Sequence, residues 1–242
     1  MLFRSNVGLE RDLGAGFHLR ATYLRRRGRH GFTYASPLGP GRPPSPEVVA
    51  RLGMDLFDAE YTLANDRRDV FDSAEFTLRQ TLQRQYGWLA SYTRSRAHSN
   101  GVLDLNIDDP IIVSRNVGPM PWDAPHRFLG WGYLPLFREN YAAAFMVESR
   151  TGFPFPVYAE NGRMVGDVNA MRFPQFFVVN LHLERRFVFR KHRWEFRAGF
   201  NNLTGHKNPT LVNANADSAR FLHFYGSQGR NANFRIRWLG KV

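Results

Sequence analysis

Residues 176–204 read FFVVNLHLERRFVFRKHRWEFRAGFNNLT. Phe177, Val179, Leu181 and Leu183 fall on one parity, and Val178, Asn180, His182 and Glu184 fall on the other. After a few basic residues the alternation resumes, with Trp194, Phe196, Ala198 and Phe200 set against Arg193, Glu195, Arg197 and Asn201. A strand sends successive side chains to opposite faces, so each half reads as a strand with one oily and one charged face. The basic residues between them read as a tight hairpin turn. A sheet built this way stands between two different solvents.

The same period of two extends over most of the chain. Residues 2–13 alternate and turn at Leu13-Gly14-Ala15-Gly16 into a strand carrying Phe17, Leu19, Ala21 and Tyr23. Residues 36–53 are rich in Pro and Gly and interrupt the pattern. It returns with Ala74, Phe76, Leu78 and Leu82, reverses near Arg84-Gln85, and continues through Tyr86, Trp88, Ala90 and Tyr92. Leu129, Trp131 and Tyr133 lead through Arg138-Glu139-Asn140 into Tyr141, Ala143, Phe145 and Val147. A last strand carries Ala232, Phe234, Ile236 and Trp238. Short turns alternate with long irregular stretches near 36–55, 98–121, 152–172 and 205–229. An outer-membrane barrel sorts its connections in this way, short on the periplasmic side and long outside. The fold class expected is therefore all-β: an antiparallel meander of about nine long strands forming part of a transmembrane barrel.

Composition agrees with that reading and narrows it. Aromatics make up 14% of the 242 residues while mean hydropathy is −0.42, so apolar surface comes as rings dispersed among polar residues. No window approaches the roughly 18 apolar residues of a membrane-spanning helix. A formal charge of +12 raises nucleic acid as a partner, but the basic residues are scattered, and the densest run is Arg25-Arg26-Arg27. Rings and charges also segregate to opposite faces around Arg193–Phe200, whereas stacking and phosphate contacts must share one. A soluble basic β-protein binding nucleic acid or polysaccharide stands as the alternative. The absence of Cys excludes disulfides and thiolate chemistry and suits an envelope protein.

Several segments in succession resemble the C-terminal part of TonB-dependent outer-membrane receptors, most closely an Oar-like subgroup. They are VGLERDLGAGFHLRATYLRRRGRH at 7–30, YGWLASYTRSRA at 86–97, WDAPHRFLGWGYLP at 122–135, RTGFPFPVY at 150–158, FRAGFNNLTGHKNPT at 196–210 and FYGSQGRNANFRIRW at 224–238. The resemblance implies a 22-stranded barrel with a plug domain inside and energy coupling to the TonB complex, for uptake of a substrate that the sequence does not identify. It implies that residues 1–242 supply C-terminal strands, with the plug and TonB box elsewhere, and that the C-terminus is periplasmic. About nine strands alone would form an odd-numbered barrel or an open sheet.

Alternation then assigns faces. Expected toward the lumen are Glu75, Arg79, Asn180, His182, Glu184, Glu195, Arg197, Arg235 and Arg237. Expected toward outer-membrane lipid are Phe76, Leu78, Trp88, Trp131, Tyr133, Phe145, Val179, Leu181, Phe196, Phe234 and Ile236. Asp104–Asp109 spaces oxygens in the manner of a calcium loop, but Asp109 stands where an EF-hand needs Gly and Arg115 where it needs Glu. Asp123 and His126 flank Pro125 and suit loop anchoring; the Asn and Gly of Asn201-Asn202-Leu203-Thr204-Gly205 suit a turn. No pair of His has metal-ligand spacing and no nucleophile sits beside a base, so neither an enzyme nor a cofactor is expected.

Overall fold

The computed structural model describes residues 2–35, 62–82, 86–102, 116–137, 140–160 and 164–242. Among them there is no helix. Nine long strands form one sheet: β1 (Leu2–Gly14), β2 (Phe17–Ala35), β3 (Thr62–Thr81), β4 (Gly87–Ser99), β5 (His126–Pro135), β6 (Tyr141–Arg150), β7 (Phe176–Phe189), β8 (His192–Asn201) and β9 (Asn231–Lys241). They pair antiparallel in sequence order, so the sheet is a pure meander. β1 and β9 occupy its two edges and do not pair with each other. The sheet is open.

Meander topology puts alternate connections at opposite ends. One end carries the turns at 15–16, 82–86, 136–140 and 190–191; the other carries 36–61, 100–125, 151–175 and 202–230. Two of the short turns are two-residue loops with both residues left-handed, the geometry that matches strand twist. Ala15 and Gly16 have φ of 49° and 76°, and Arg190 and Lys191 have 49° and 60°. Gly16 is also required by its neighbour: a Cβ there would stand 2.2 Å from the Thr81 carbonyl oxygen, whose residue donates its N–H to Gly16 O at 2.9 Å.

Register divides the side chains into two faces. Leu19, Leu78, Ala90, Gly130, Val147 and Val179 stand directly opposite one another across six strands as one continuous apolar row. The neighbouring row is Phe17, Gln80, Trp88, Gly132, Phe145, Leu181, Phe200 and Ala232. This face is uncovered, with Val7, Leu9, Phe234 and Ile236 at 69%, 70%, 74% and 67% exposure. Moving each such side chain out of water is worth about 1.5–3 kcal/mol. A soluble sandwich would have buried them.

The opposite face gathers Glu75, Arg79, Asn180, His182, Glu184, Glu195, Arg197, Arg235 and Arg237. Two residues expected on the apolar face are there as well. Trp131 pairs with Met146 and Tyr133 with Ala144, which puts both rings on the polar side. The reason is space and a hydroxyl. On β5 the apolar face is given to Gly130 and Gly132, and the Phe145 ring occupies the place of the missing Gly132 side chain, where a Cβ would come within 2.6 Å of it. Tyr133 turns inward and donates its hydroxyl to Glu184 Oε2 at 2.7 Å.

Strand lengths depart from the periodic segments in one place. β3 begins at Thr62, well before the alternation that starts near Ala74. Its first eight residues, TLANDRRD, pair with the upper half of β2 and carry polar side chains at both parities. At 19 and 20 residues, β2 and β3 run about 60 Å, about twice what a tilted crossing of hydrocarbon needs.

Gly14 and Gly16 make a matched pair. Gly14→Ala meets nothing within 4 Å and carries only the left-handed penalty of about 1–2 kcal/mol. Gly16→Ala adds the clash with Thr81 and should cost about 1–3 kcal/mol more. Urea unfolding midpoints in detergent will rank them in that order.

Candidate lumen wall and loop cap

The polar face is built around two buried carboxylates. Glu195 on β8 is 4% exposed and lies between Arg186 Nε at 3.3 Å, Arg235 Nη2 at 3.5 Å and Arg237 Nη1 at 3.7 Å. Glu184 on β7 is 7% exposed, accepts the Tyr133 hydroxyl and pairs with Arg197 Nη1 at 3.3 Å. A buried carboxylate without such partners would cost several kcal/mol, so these arginines are structural necessities as well as surface charge. Farther along the same face Arg127 and Arg150 share Glu148, at 2.9 and 3.9 Å. The Arg150 guanidinium also covers the rings of Phe153 and Phe176 at 3.9 and 4.4 Å. In these three clusters arginines outnumber carboxylates, which leaves the wall basic.

Five of the residues expected on this side, Glu184, Glu195, Arg197, Arg235 and Arg237, thus meet in adjoining ion pairs. His182 is buried opposite Gly199, where a Cβ would come 2.6 Å from His182 Cα. Asn180 accepts the Asn202 N–H at 2.9 Å, and Glu75 accepts the Thr77 hydroxyl at 3.1 Å. Arg79 stands across from His18, on β3 and away from the clusters. Alternation alone does not single out Arg127, Glu148, Arg150 or Arg186, and it sets Tyr133 on the lipid side, whereas the structure turns it to the polar face. Carrying the parity of Glu184 one step to Arg186 would have found one of them.

Above the sheet, three long connections are joined into a cap. Asp123 is buried; its Oδ1 accepts the Ala97 N–H at 2.6 Å, and its Oδ2 pairs with Arg172 Nη2 at 2.5 Å. Arg172 Nη1 reaches the carbonyls of Asp123 and Gly152 at 2.9 and 3.2 Å. The anchoring role suggested for Asp123 is what it performs, while His126 instead accepts from Arg94 Nη1 at its Nε2, 3.1 Å away, and donates from Nδ1 to the Tyr92 oxygen at 2.7 Å. Two short ladders, Pro154–Phe155 with Met171–Arg172 and Leu211–Val212 with Phe224–Tyr225, meet through the rings of Phe155, Phe173 and Phe224. Phe155, Val157 and Val168 are buried here, so much of the molecule's small apolar core lies in the cap.

Asn202 and Gly205 do make the turn out of β8, with φ of 50° and 69°. Asn202 Nδ2 donates to the carbonyls of His206 and Gln228, holding the loop's two ends together. The Asp104–Asp109 segment lies outside the described residues. Tyr158, Asn215, Arg220, His223 and Tyr225 border a cleft of about 600 Å³ in the cap. Burial pushes the Tyr158 phenol above its ordinary pKa, so it stays a neutral donor.

No protein-family model matches the chain, and no curated protein does. Among solved structures it is similar to the outer membrane transporter YddB from Escherichia coli, with a TM-score of 0.60 and 14% identity over 97% of this chain. The fold resembles an outer-membrane transporter barrel. The match takes in 32% of the transporter, so the chain spans about a third of its length. At that identity the likeness is one of fold.

Arg172→Met would leave the buried Asp123 carboxylate without its ion partner, at a cost of about 2–4 kcal/mol. Gly152→Ala would drive a Cβ to 1.8 Å from Phe173 O. Both should speed protease cutting within 152–172 while the sheet keeps its β circular dichroism, and Arg220→Met should not.

Proposed function

We propose that the chain forms the C-terminal wall of a TonB-dependent receptor of the Oar-like kind, in the bacterial outer membrane with its C-terminus in the periplasm. The observation that carries this reading is the split between the sheet's faces: a continuous uncovered apolar face backs a wall of buried, arginine-paired carboxylates. Lipid suits the first and a watery lumen the second. The open edges suit a sheet completed by further strands, since no β edge can face lipid unpaired. A plug domain would sit against the arginine wall, and the TonB complex would supply energy through it. The cap's cleft, with its tyrosines, amide and arginine, is where an incoming solute would first be held. The protein acts by transport, with no chemical step and no cofactor, and nucleic acid is not its partner.

Uptake in cells carrying the full-length receptor tests the function. A solute should leave the medium only while the TonB complex is intact; depletion that persists after its removal would indicate a passive pore.

Sidedness is tested separately, because the chain has no Cys of its own. Gly229→Cys, in the last long connection, should react with a membrane-impermeant maleimide on whole cells. Phe137→Cys, in a short turn and fully exposed, should react only once the outer membrane is breached. Labelling of both on sealed cells would overturn the orientation.

A further inference from the structure

On β2 and β4 the apolar face changes character abruptly beyond Tyr23 and Tyr92. Arg25 and Arg27 follow Tyr23, and Arg94 and Arg96 follow Tyr92, all on the parity of Leu19 and Ala90. Register sets Arg25, Asp72 and Arg96 side by side across three strands, with Tyr23, Ala74, Arg94 and His126 in the next row toward the apolar rows. With strands about 4.8 Å apart, Arg25 and Arg96 stand about 10 Å from one another. Asp72 is already engaged by Tyr23 Oη at 3.1 Å and Arg25 Nε at 3.3 Å. Arg27 and Arg96 are exposed, and among the described residues their side chains make no ion pair or hydrogen bond. On the sheet four arginines therefore face one carboxylate, beside a cleft of about 540 Å³ lined by Tyr23, Asp72, Arg94, Arg96 and the Asp123–Arg172 ion pair of the cap.

This patch is turned away from the arginine wall of the polar face, so it is not an extension of the solute path. Its place is fixed by what lies below it: the apolar rows, then a level of tyrosine hydroxyls, then guanidinium groups. Anionic headgroups occupy that level of a bilayer, and guanidinium forks match phosphate oxygens two at a time. We propose that Arg25, Arg27, Arg94 and Arg96 hold the phosphate groups of an anionic lipid in the leaflet on the long-loop side. The inference rests on the membrane reading above.

The test uses the full-length receptor in phosphatidylcholine nanodiscs doped with diphosphorylated lipid A, with dephosphorylated lipid A as the counterpart. Lipid retained after exchange into detergent is counted by native mass spectrometry. The double variant Arg27→Gln, Arg96→Gln should retain the phosphorylated lipid about ten-fold more weakly than the parent. Lys191→Gln, an equal charge change at the opposite end of the strands, should leave retention unchanged. Retention by the double variant equal to the parent's, or equal retention of the dephosphorylated lipid, would overturn the proposal. So would displacement by inorganic phosphate at matched concentration, which would mark a free-anion site. If the double variant does not assemble, Arg96→Gln alone carries the test, with about three-fold weakening expected. Heat-modifiable gel mobility reports the barrel independently of lipid, so failure of the membrane reading and failure of the site give different results.

Discussion

Pleating is the constraint from which the rest of this structure follows. Because neighbouring residues must point to opposite faces, a strand separating two solvents has its side chains chosen by parity. A one-residue slip would exchange Leu181 and Leu183 with His182 and Glu184, stranding carboxylates on the apolar face and leucines among arginines. Register in the middle of the sheet is therefore specified strongly. The row from Leu19 to Val179 keeps that specification over six strands without any core behind it.

The polar face carries a constraint of a different kind. Glu184 and Glu195 are held by residues from four strands: Tyr133 on β5, Arg186 on β7, Arg197 on β8, and Arg235 and Arg237 on β9. Ion pairs of this sort contribute little net stability once desolvation is counted, but they penalise wrong pairings heavily. Long connections are then positioned by contacts that depend on the strands already being in place, such as Arg172 with Asp123 and Asn208 with both backbone groups of Phe177.

How much of this was legible in the sequence depended on whether local alternation carried it. Phe177–Leu183 and Trp194–Phe200 could be read directly, because both solvents act on every residue there. The upper half of β3 could not, since Asp66, Arg67, Arg68 and Asp69 put charge at both parities. Trp131 and Tyr133 were assigned by ring hydrophobicity, yet Phe128, Gly130, Gly132 and Leu134 form an equally regular set on the opposite parity. Only the partner strands decide between them, through Phe145 over Gly132 and Glu184 beneath Tyr133. The cap was illegible because its contacts join residues as far apart as Asp123 and Arg172, separated by 49 positions. The nine residues expected toward the lumen share one face of the sheet, but local alternation does not say which of them touch.

Above Gly28, β2 has no partner on its far edge among the described residues, although β3 continues beside it to Ala35. A bare ladder of amides and carbonyls invites another strand to add itself. Here the register slips twice, between Gly28 and Gly31 and between Gly31 and Thr33, and His30 takes a left-handed φ of 59°. Those irregularities twist the rim out of a straight template, and Arg29 adds charge to it. Such a rim resists zipping onto the edge of a second copy.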